Sequence, residues 1–205
     1  MPLAARRFAT AALVACIVGV LGCNPRKPLE IDPSLTSSAR FDTITLMPVI
    51  DARPDRFDYL PLGRDVSAAA VQFVREKGYL VAQAESYAQR PPDSIDIDNV
   101  KAADLIALVP AEAHDFLIVQ IEKMDRTIDE AGVLYYVRLS AVLVDRDAAR
   151  VLWRDVASAN NTLTGFFTIV TRGSSQFEAA VNASRSLFST LPARPGSRAA
   201  RKKKS

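Results

Sequence analysis

The amino-acid sequence predicts an α+β fold, a two-layer sandwich in the order β-α-β-α-β-β-β-α, with a mixed sheet and helices on one face. Two observations lead to this prediction. Apolar β-branched runs alternate with helical patterns between residues 43 and 108, which is typical of βαβ units with parallel strands. Three strand-like runs then follow one another between residues 115 and 160, which is typical of an antiparallel meander.

The first elements form a strand–helix–strand unit. Residues 43–50 are β-branched and apolar, and this pattern predicts a buried strand. Asp65 is placed to cap a helix that runs to about Lys77, where Gly78 stops it. Residues 79–85 then form a strand parallel to the first, because a right-handed crossover is the usual connection in this pattern.

The remaining elements are a short helix, the meander and a long final helix. Asn99 or Asp98 caps the short helix, which runs to about Leu108. In the middle strand of the meander, alternate positions from 133 to 143 are apolar, so one face of the sheet is expected to be covered. Apolar or small residues at helical spacing mark the final helix: Phe177, Ala180, Val181, Ser184, Leu187, Phe188 and Leu191.

The N-terminus has the form of a secretory signal peptide. Arg6 and Arg7 precede fifteen uncharged residues, 8–22. This run is shorter than the ~20 residues that a membrane-spanning helix needs, and it is apolar on every side, unlike a core helix. A positive segment followed by a short apolar segment is typical of a signal peptide, with an uncleaved anchor as the alternative.

The end of this segment resembles the lipobox of bacterial lipoproteins. The residues Val-Leu-Gly-Cys occupy positions 20–23, so a peptidase is expected to cut between Gly22 and Cys23, and Cys23 is expected to carry the lipid. A second match ends at Cys16, but it leaves too few apolar residues for membrane insertion. The mature chain would then contain no free thiol, which suits an oxidising compartment.

Four parts follow from these boundaries. Residues 1–22 are the signal peptide, residues 23–40 the lipidated cysteine and a flexible tether, residues 41–192 the globular domain, and residues 193–205 a basic disordered tail. Acyl chains contribute ~0.8 kcal/mol per buried CH₂, so two or three of them anchor a protein stably. We expect a lipid-anchored protein of the cell envelope. Asn24 after the cysteine favours the outer membrane, facing the periplasm.

The charge distribution argues against a nucleic-acid partner. The net charge is +3, but eight of the 26 basic residues lie in the first seven or the last twelve positions. The residues between these ends carry 18 basic against 23 acidic side chains and are therefore mildly acidic. The basic C-terminal tail is either a solubilising tail or a segment that contacts anionic headgroups.

Four segments resemble a family of small bacterial lipoproteins: residues 44–55, 74–82, 115–124 and 137–159, together with the lipobox. The domain of that family resembles the N-terminal domain of TolB and the periplasmic part of the curli secretion lipoprotein CsgG. The resemblance covers about Thr43 to Leu191. It implies accessory work in envelope assembly or transport through protein contacts, and it supplies no active-site residues. Ala149 stands where the family usually has a turn glycine.

The chain shows no motif for catalysis, a metal or a cofactor, and none is predicted. The single histidine, His114, is interpreted as structural, because no second histidine or free cysteine accompanies it. The acidic segment 93–99 lacks the spacing and the glycine of a calcium loop and is interpreted as a solvated loop and helix cap. An apolar segment between Gly165 and Gly173 is either core filling or a partner contact, and its candidate contact residues are Phe166, Phe167, Ile169 and Val170.

The sequence therefore predicts a non-enzymatic, lipid-anchored envelope protein, an interaction or accessory module of an outer-membrane assembly or transport complex. Its expected partners are the membrane, through the N-terminal lipid, and an envelope protein or a second copy of itself. The alternative is a periplasmic lipoprotein that binds a small ligand or lipid, which would require a sizeable apolar pocket between sheet and helices. An enzyme ranks third, because no convergent cluster of titratable groups is evident.

Overall fold

A computed structural model describes residues 26–37, 40–54, 62–129, 132–161, 176–197 and 199–200. The strands of these residues are β1 (Glu30–Ile31), β2 (Thr43–Leu46), β3 (Ile50–Asp51), β4 (Leu80–Gln83), β5 (Asp115–Asp129), β6 (Gly132–Asp145) and β7 (Arg150–Asn160). The helices are α1 (Ser34–Ser37), α2 (Leu62–Glu76), α3 (Ala102–Ile106) and α4 (Gln176–Ser189). The predicted order of elements is confirmed, with β1, α1 and β3 added to it.

The strands form one mixed sheet in the order β1-β7-β6-β5-β2-β4, and β3 also pairs with β5. The meander β5–β6–β7 is antiparallel, and β2 is parallel to both β4 and β5. The α+β class and the mixed sheet are therefore confirmed. In the turn between β6 and β7, Ala149 has a φ of 48°, which is the left-handed conformation that glycine usually provides.

The strand predicted over residues 43–50 is broken at Pro48, which has no N–H to give to a strand ladder. β2 and β3 lie on either side of the break, and both run parallel to β5. The Met47 N–H donates to the Leu117 carbonyl (2.9 Å), and the Ala52 N–H donates to the Ile121 carbonyl (3.0 Å). The break leaves residues 48 and 49 without a place in the ladder, at the carboxyl end of β2.

The two long helices, α2 and α4, cover the same face of the sheet, as predicted. Side chains that point to this face from the meander are fully buried, for example Leu117, Val119 and Leu139. Trp153 is 0% exposed and stacks on Phe188 of α4 with ring centroids 5.9 Å apart. This layer contains the larger of two apolar cores.

The opposite face of the sheet is covered as well, by the segment 84–113 with the short helix α3. Phe116 and Ile118 alternate with the inward residues of β5 and pack in a second core with Ile95, Ile97 and Leu105. The prediction that helices lie on one face therefore holds for the long helices and not for α3. The short helix also begins after Lys101 rather than at a cap by Asn99 or Asp98.

The N-terminal segment is packed and not a flexible tether. β1 pairs with β7 through Glu30↔Arg154 and Ile31↔Trp153, and Leu35 of α1 is fully buried. We call residues 26–37 the N-terminal strap. The predicted boundary at residue 41 is therefore wrong for the described part of this segment, because backbone pairing and burial of Leu35 outweigh the prolines that suggested a coil.

Part of the predicted disordered tail is also packed. The Arg194 N–H donates to the Lys77 carbonyl (2.8 Å), and its guanidinium pairs with Asp42 at 2.6 Å. The Ser197 side chain lies against Gly78. The domain thus extends at least to residue 197, and the prediction of a tail from residue 193 is wrong by several residues.

Candidate contact surface

One edge of the sheet is open. Among the described residues, β4 pairs only with β2. The N–H groups of Leu80 and Ala84 donate to Asp42 and Leu46 (2.8 and 3.0 Å), so the backbone groups of the alternate residues, Val81 and Gln83, point away from the sheet. An edge with unpaired N–H and C=O groups is a template for pairing with another chain.

The side chains of β4 make this edge apolar in part. Leu80 is 65% exposed, and Ala82 and Gln83 are exposed beside it. The edge is held in place from behind, because α2 ends at Glu76, the chain reverses through Gly78, and Tyr79 is buried. A large exposed apolar side chain on an open strand edge is the feature of this fold best suited to a protein contact.

The N-terminal strap covers part of the other edge of the sheet, where β1 pairs with β7. Three ion pairs fix the strap to β7: Arg26 with Asp155 (2.9 Å), Glu30 with Arg154 (2.5 Å) and Asp32 with Arg150 (3.4 Å). The charges of the strap therefore complement those of the strand beneath it.

Asp155 connects this strap to helix α4. Its side chain is 2% exposed and accepts hydrogen bonds from Arg26 (2.9 Å), from the Thr190 hydroxyl (2.6 Å) and from the Val156 N–H (2.8 Å). The indole N–H of Trp153 donates to the same Thr190 hydroxyl (3.3 Å). Through these three donors, the buried carboxylate ties the strap to the main core.

Two aspartates face each other where β5 begins and β6 ends. Asp145 is buried. Its two carboxylate oxygens each accept a hydrogen bond from the Arg40 guanidinium (2.8 Å each), and one of them also accepts the Ala148 N–H (3.1 Å). Asp115 lies directly opposite it in the ladder. Burial, followed by the charge of Asp145, raises the pKa of Asp115 to about 6, while Arg40 opposes the shift.

His114 stands next to this pair but lies at the surface. Its Nδ1 is 3.2 Å from the Asp147 carboxylate, and the two side chains are 69% and 59% exposed. Water screens the charges of such an exposed pair. The interpretation of His114 as a structural residue remains the better one.

The raised pKa of Asp115 predicts a pH-dependent stability. In the folded state this carboxyl keeps its proton up to about pH 6, against 3.8 for an unperturbed aspartate. Its contribution to stability is therefore complete below pH 3.8 and is lost as the pH rises through 6. Asp115→Asn should raise the free energy of unfolding at pH 7.5 by about 1–2 kcal/mol, after allowance for partial solvent exposure, and by little at pH 4.

Urea denaturation of both proteins at the two pH values measures this difference. Asp147→Asn, on a mostly exposed side chain, is the matched control and should change the stability by less than about 0.5 kcal/mol at either pH. Equal stabilities of the Asp115→Asn variant and the natural chain at pH 7.5 would contradict the prediction.

A groove lies at the carboxyl ends of β2 and β4. It has a volume of about 290 Å³ and is lined by Pro48, Val49, Ile50, Asp51, Tyr87, Arg90, Pro91, Pro92 and Asp93. The Tyr87 hydroxyl donates to the Pro48 carbonyl (2.8 Å), and burial raises its pKa. This volume is at the lower limit for small-molecule sites, and the groove lies at the rim of the sheet rather than between sheet and helices.

The site residues predicted from the sequence lie outside the described residues: Gly22, Cys23, Phe166, Phe167, Ile169 and Val170. Their nearest described neighbours are placed. The strap begins at Arg26, and the apolar segment falls between the end of β7 at Asn160 and the start of α4 at Gln176. Lipidation at Cys23 and contact through the apolar segment stay predictions.

Sequence reasoning missed the strap and the open edge at β4. A signal for the strap exists, because Leu29, Glu30, Ile31 and Asp32 alternate between apolar and acidic residues, as a strand does. The open edge has no such signal, because local sequence patterns do not determine the order of strands in a sheet. Within the described ranges, no group of three or more His, Cys, Asp or Glu side chains is arranged to hold a metal ion. In the same ranges, every helix is too short or too polar to span a bilayer.

No family model matches the sequence, and no curated protein matches it. Among solved structures, the chain is similar to a variant of PelC from Paraburkholderia phytofirmans, solved as a dodecamer, with 16% identity over 80% of this chain and 96% of PelC and a TM-score of 0.50. It is also similar to a lipoprotein from Neisseria meningitidis, with 21% identity over 58% of this chain and 82% of that protein and a TM-score of 0.42. At such identities, the similarity to PelC shows that the two proteins share a fold.

Proposed function

We propose that this chain is a non-enzymatic, lipid-anchored protein of the cell envelope that works through protein contacts, as a self-associating subunit of an outer-membrane assembly or transport complex. The observation that carries the proposal is the open edge of β4, with Leu80 exposed on it. A strand edge of this kind binds another chain through main-chain hydrogen bonds, and its side chains add specificity.

Self-association is the favoured form of this contact. The PelC structure that shares the fold is a dodecamer, and rings built from head-to-tail contacts join two different surfaces of each subunit. Here the strap covers part of β7 at one edge and β4 forms the other edge, so the two sides of the subunit differ. The predicted contact residues Phe166, Phe167, Ile169 and Val170 belong to the same proposal as a second contact element.

Leu80→Glu is the test of the proposed contact. A charge on an edge strand opposes pairing with another strand, so this variant should be monomeric where the natural chain is oligomeric. The full lipoprotein is extracted from envelopes in mild detergent, and its mass is measured by light scattering after size exclusion and by crosslinking in the envelope.

Ile128→Glu is the matched control, because Ile128 is equally exposed (67%) but lies near the end of β5 and not on the β4 edge. It should leave the oligomer intact. A monomeric natural chain, or a Leu80→Glu variant that assembles like the natural chain, would overturn the proposal. Circular dichroism of both variants verifies that the domain is folded.

A further inference from the structure

We propose that the N-terminal strap of one subunit pairs with the β4 edge of a second copy, so that the copies join head to tail and their sheets become continuous. We call the outer side of residues 29–31 the strap edge. The inference rests on the proposed function, because it assumes that the chain associates with itself through β4. It adds the surface that receives β4 and the register of the contact.

Both ends of the sheet carry exposed apolar side chains. Among the described residues, five large apolar side chains are exposed, and three of these lie at the two ends. Leu29 (58% exposed) and Ile31 (40% exposed) are on the strap, and Leu80 is on β4. A contact between the two edges covers all three positions at once, which removes apolar surface from water.

The backbone of the strap edge offers two residues for strand pairing. The Asp32 N–H donates to a carbonyl of β7 (2.8 Å), so the backbone groups of Asp32 and Glu30 point toward β7. The backbone groups of the alternate residues, Leu29 and Ile31, point away from the sheet. Pro33 ends this edge, because a proline has no N–H to donate.

The directions of the strands suit an antiparallel contact. β1 is antiparallel to β7, and β7 runs in the same direction as β5, β2 and β4. A second copy that lies beside the first in the same orientation therefore presents its strap antiparallel to β4. Repetition of this step joins two different surfaces at every contact, as in a ring or a filament.

The side chains of the two edges meet on matching faces of the sheet. Ile31 lies opposite Trp153 in the ladder, and therefore on the face that α2 and α4 cover. On the β4 edge, Val81 packs against the core of the same face, and the Gln83 amide donates to the Ser67 hydroxyl of α2 (3.5 Å). In the joined sheet, Ile31 of one copy lies beside Val81 of the next.

One register uses the outward-pointing residues of both edges. It places Ile31 opposite Val81 and Leu29 opposite Gln83, so that each pair exchanges N–H and C=O groups. β4 extends only from Leu80 to Gln83. A shift by two residues in either direction moves one of the two pairs out of β4, so this register gives the most complete pairing.

The charges next to the two edges are complementary in this register. Two residues beyond the pair of Leu29 and Gln83, it brings Lys27 of the strap to Glu85 of the next copy. Both side chains are exposed, and neither forms an ion pair within the described ranges. Opposite charges at neighbouring positions of two strands favour the pairing, and like charges oppose it.

Disulfide crosslinking tests the contact and its direction. Leu29→Cys and Gln83→Cys place two thiols opposite each other at a Cα separation of about 5.5 Å, which suits a disulfide. Within one subunit the two positions lie five strand spacings apart, roughly 24 Å. In oxidised envelopes, the double variant of the full chain should therefore form a ladder of dimers, trimers and larger species. The two single variants, expressed together, should stop at dimers.

Each single variant expressed alone is the control and should migrate like the natural chain under the same oxidising conditions. A dimer formed by Gln83→Cys alone would assign the contact to two β4 edges and would overturn the proposal. A double variant that forms no ladder would overturn it as well.

Charge reversal tests the register. Lys27→Glu or Glu85→Lys alone brings like charges together and should weaken self-association by roughly twofold to fivefold, and the double reversal should restore it. Light scattering over a dilution series in mild detergent measures the change. Lys101→Glu is the matched control, because Lys101 is exposed in the covering segment and not at either edge. If the two reversals weaken association further when combined, the register is wrong.

Failure of this inference is distinguishable from failure of the proposed function. A natural chain that is monomeric would overturn both. An oligomer that Leu80→Glu dissociates, but whose double-cysteine variant forms no ladder, would leave the proposed function in place. It would show that the partner surface is not the strap edge.

Discussion

Replacement of Gln120 by leucine is expected to lower the free energy of unfolding by about 2–5 kcal/mol. Gln120 is 3% exposed in the middle of β5, and its amide forms two hydrogen bonds with one residue of the covering segment. The amide nitrogen donates to the Ile95 carbonyl (3.1 Å), and the amide oxygen accepts the Ile95 N–H (2.7 Å). Leucine fills a similar volume but leaves both backbone groups of Ile95 buried without a partner.

Urea denaturation measures this loss, and Gln72→Leu is the control with the same change of side chain. Gln72 is exposed on α2, and its amide donates to Glu76 in the same helix (2.9 Å), so its replacement should cost less than about 0.5 kcal/mol. If Gln120→Leu also costs less than about 0.5 kcal/mol, the two hydrogen bonds between Gln120 and Ile95 do not hold the segment 84–113 on the sheet.

Local periodicity is the reason that the meander and the two long helices could be predicted. Val137, Leu139 and Ala141 alternate with other residues in β6, and each is 0% exposed in the structure. In α4, Leu187 and Phe188 are buried as their spacing indicates. A pattern of this kind predicts the element and its buried face, because the period of the apolar residues matches the period of the backbone.

The second covering layer could not be predicted in the same way. Gln120 interrupts an apolar strand, and a polar residue there suggests a solvent-facing position. Its partner, Ile95, lies in an acidic segment 25 residues away. Ile95 and Ile97 are the buried positions of that segment. They alternate with polar residues as a strand does, but the neighbouring aspartates favour exposure to solvent. The interpretation of this segment as a solvated loop therefore overlooked its apolar side.

The strap escaped prediction because its partners are distant in sequence. Arg26 and Asp155 are 129 residues apart, and Asp32 and Arg150 are 118 apart. Three prolines near residue 30 favour a coil when the segment is considered alone. Once the edge of β7 is present, backbone pairing and complementary charges outweigh that preference. The same lack of local signal applies to the open edge at β4, on which the proposed contact depends.

Gly78→Ala is expected to lower the free energy of unfolding by about 2–4 kcal/mol. Gly78 has a φ of +92°, and its N–H donates to the Arg75 carbonyl (2.8 Å) to end α2. A side chain in this left-handed region costs about 1–3 kcal/mol by itself. An added Cβ would also lie 2.5 Å from the Cβ of Ser197, which is closer than two carbons can approach.

Two further glycines separate these causes in the same urea denaturation experiment. Gly196 has a φ of +78° and open space around it, so Gly196→Ala should show the backbone cost alone. Gly63 lies inside α2 with ordinary contacts, and Gly63→Ala should stabilise the domain by up to about 1 kcal/mol. If Gly78→Ala costs no more than Gly196→Ala, the segment around Ser197 moves away from the added Cβ at no measurable cost in stability. In that case the C-terminal chain is not fixed beside α4.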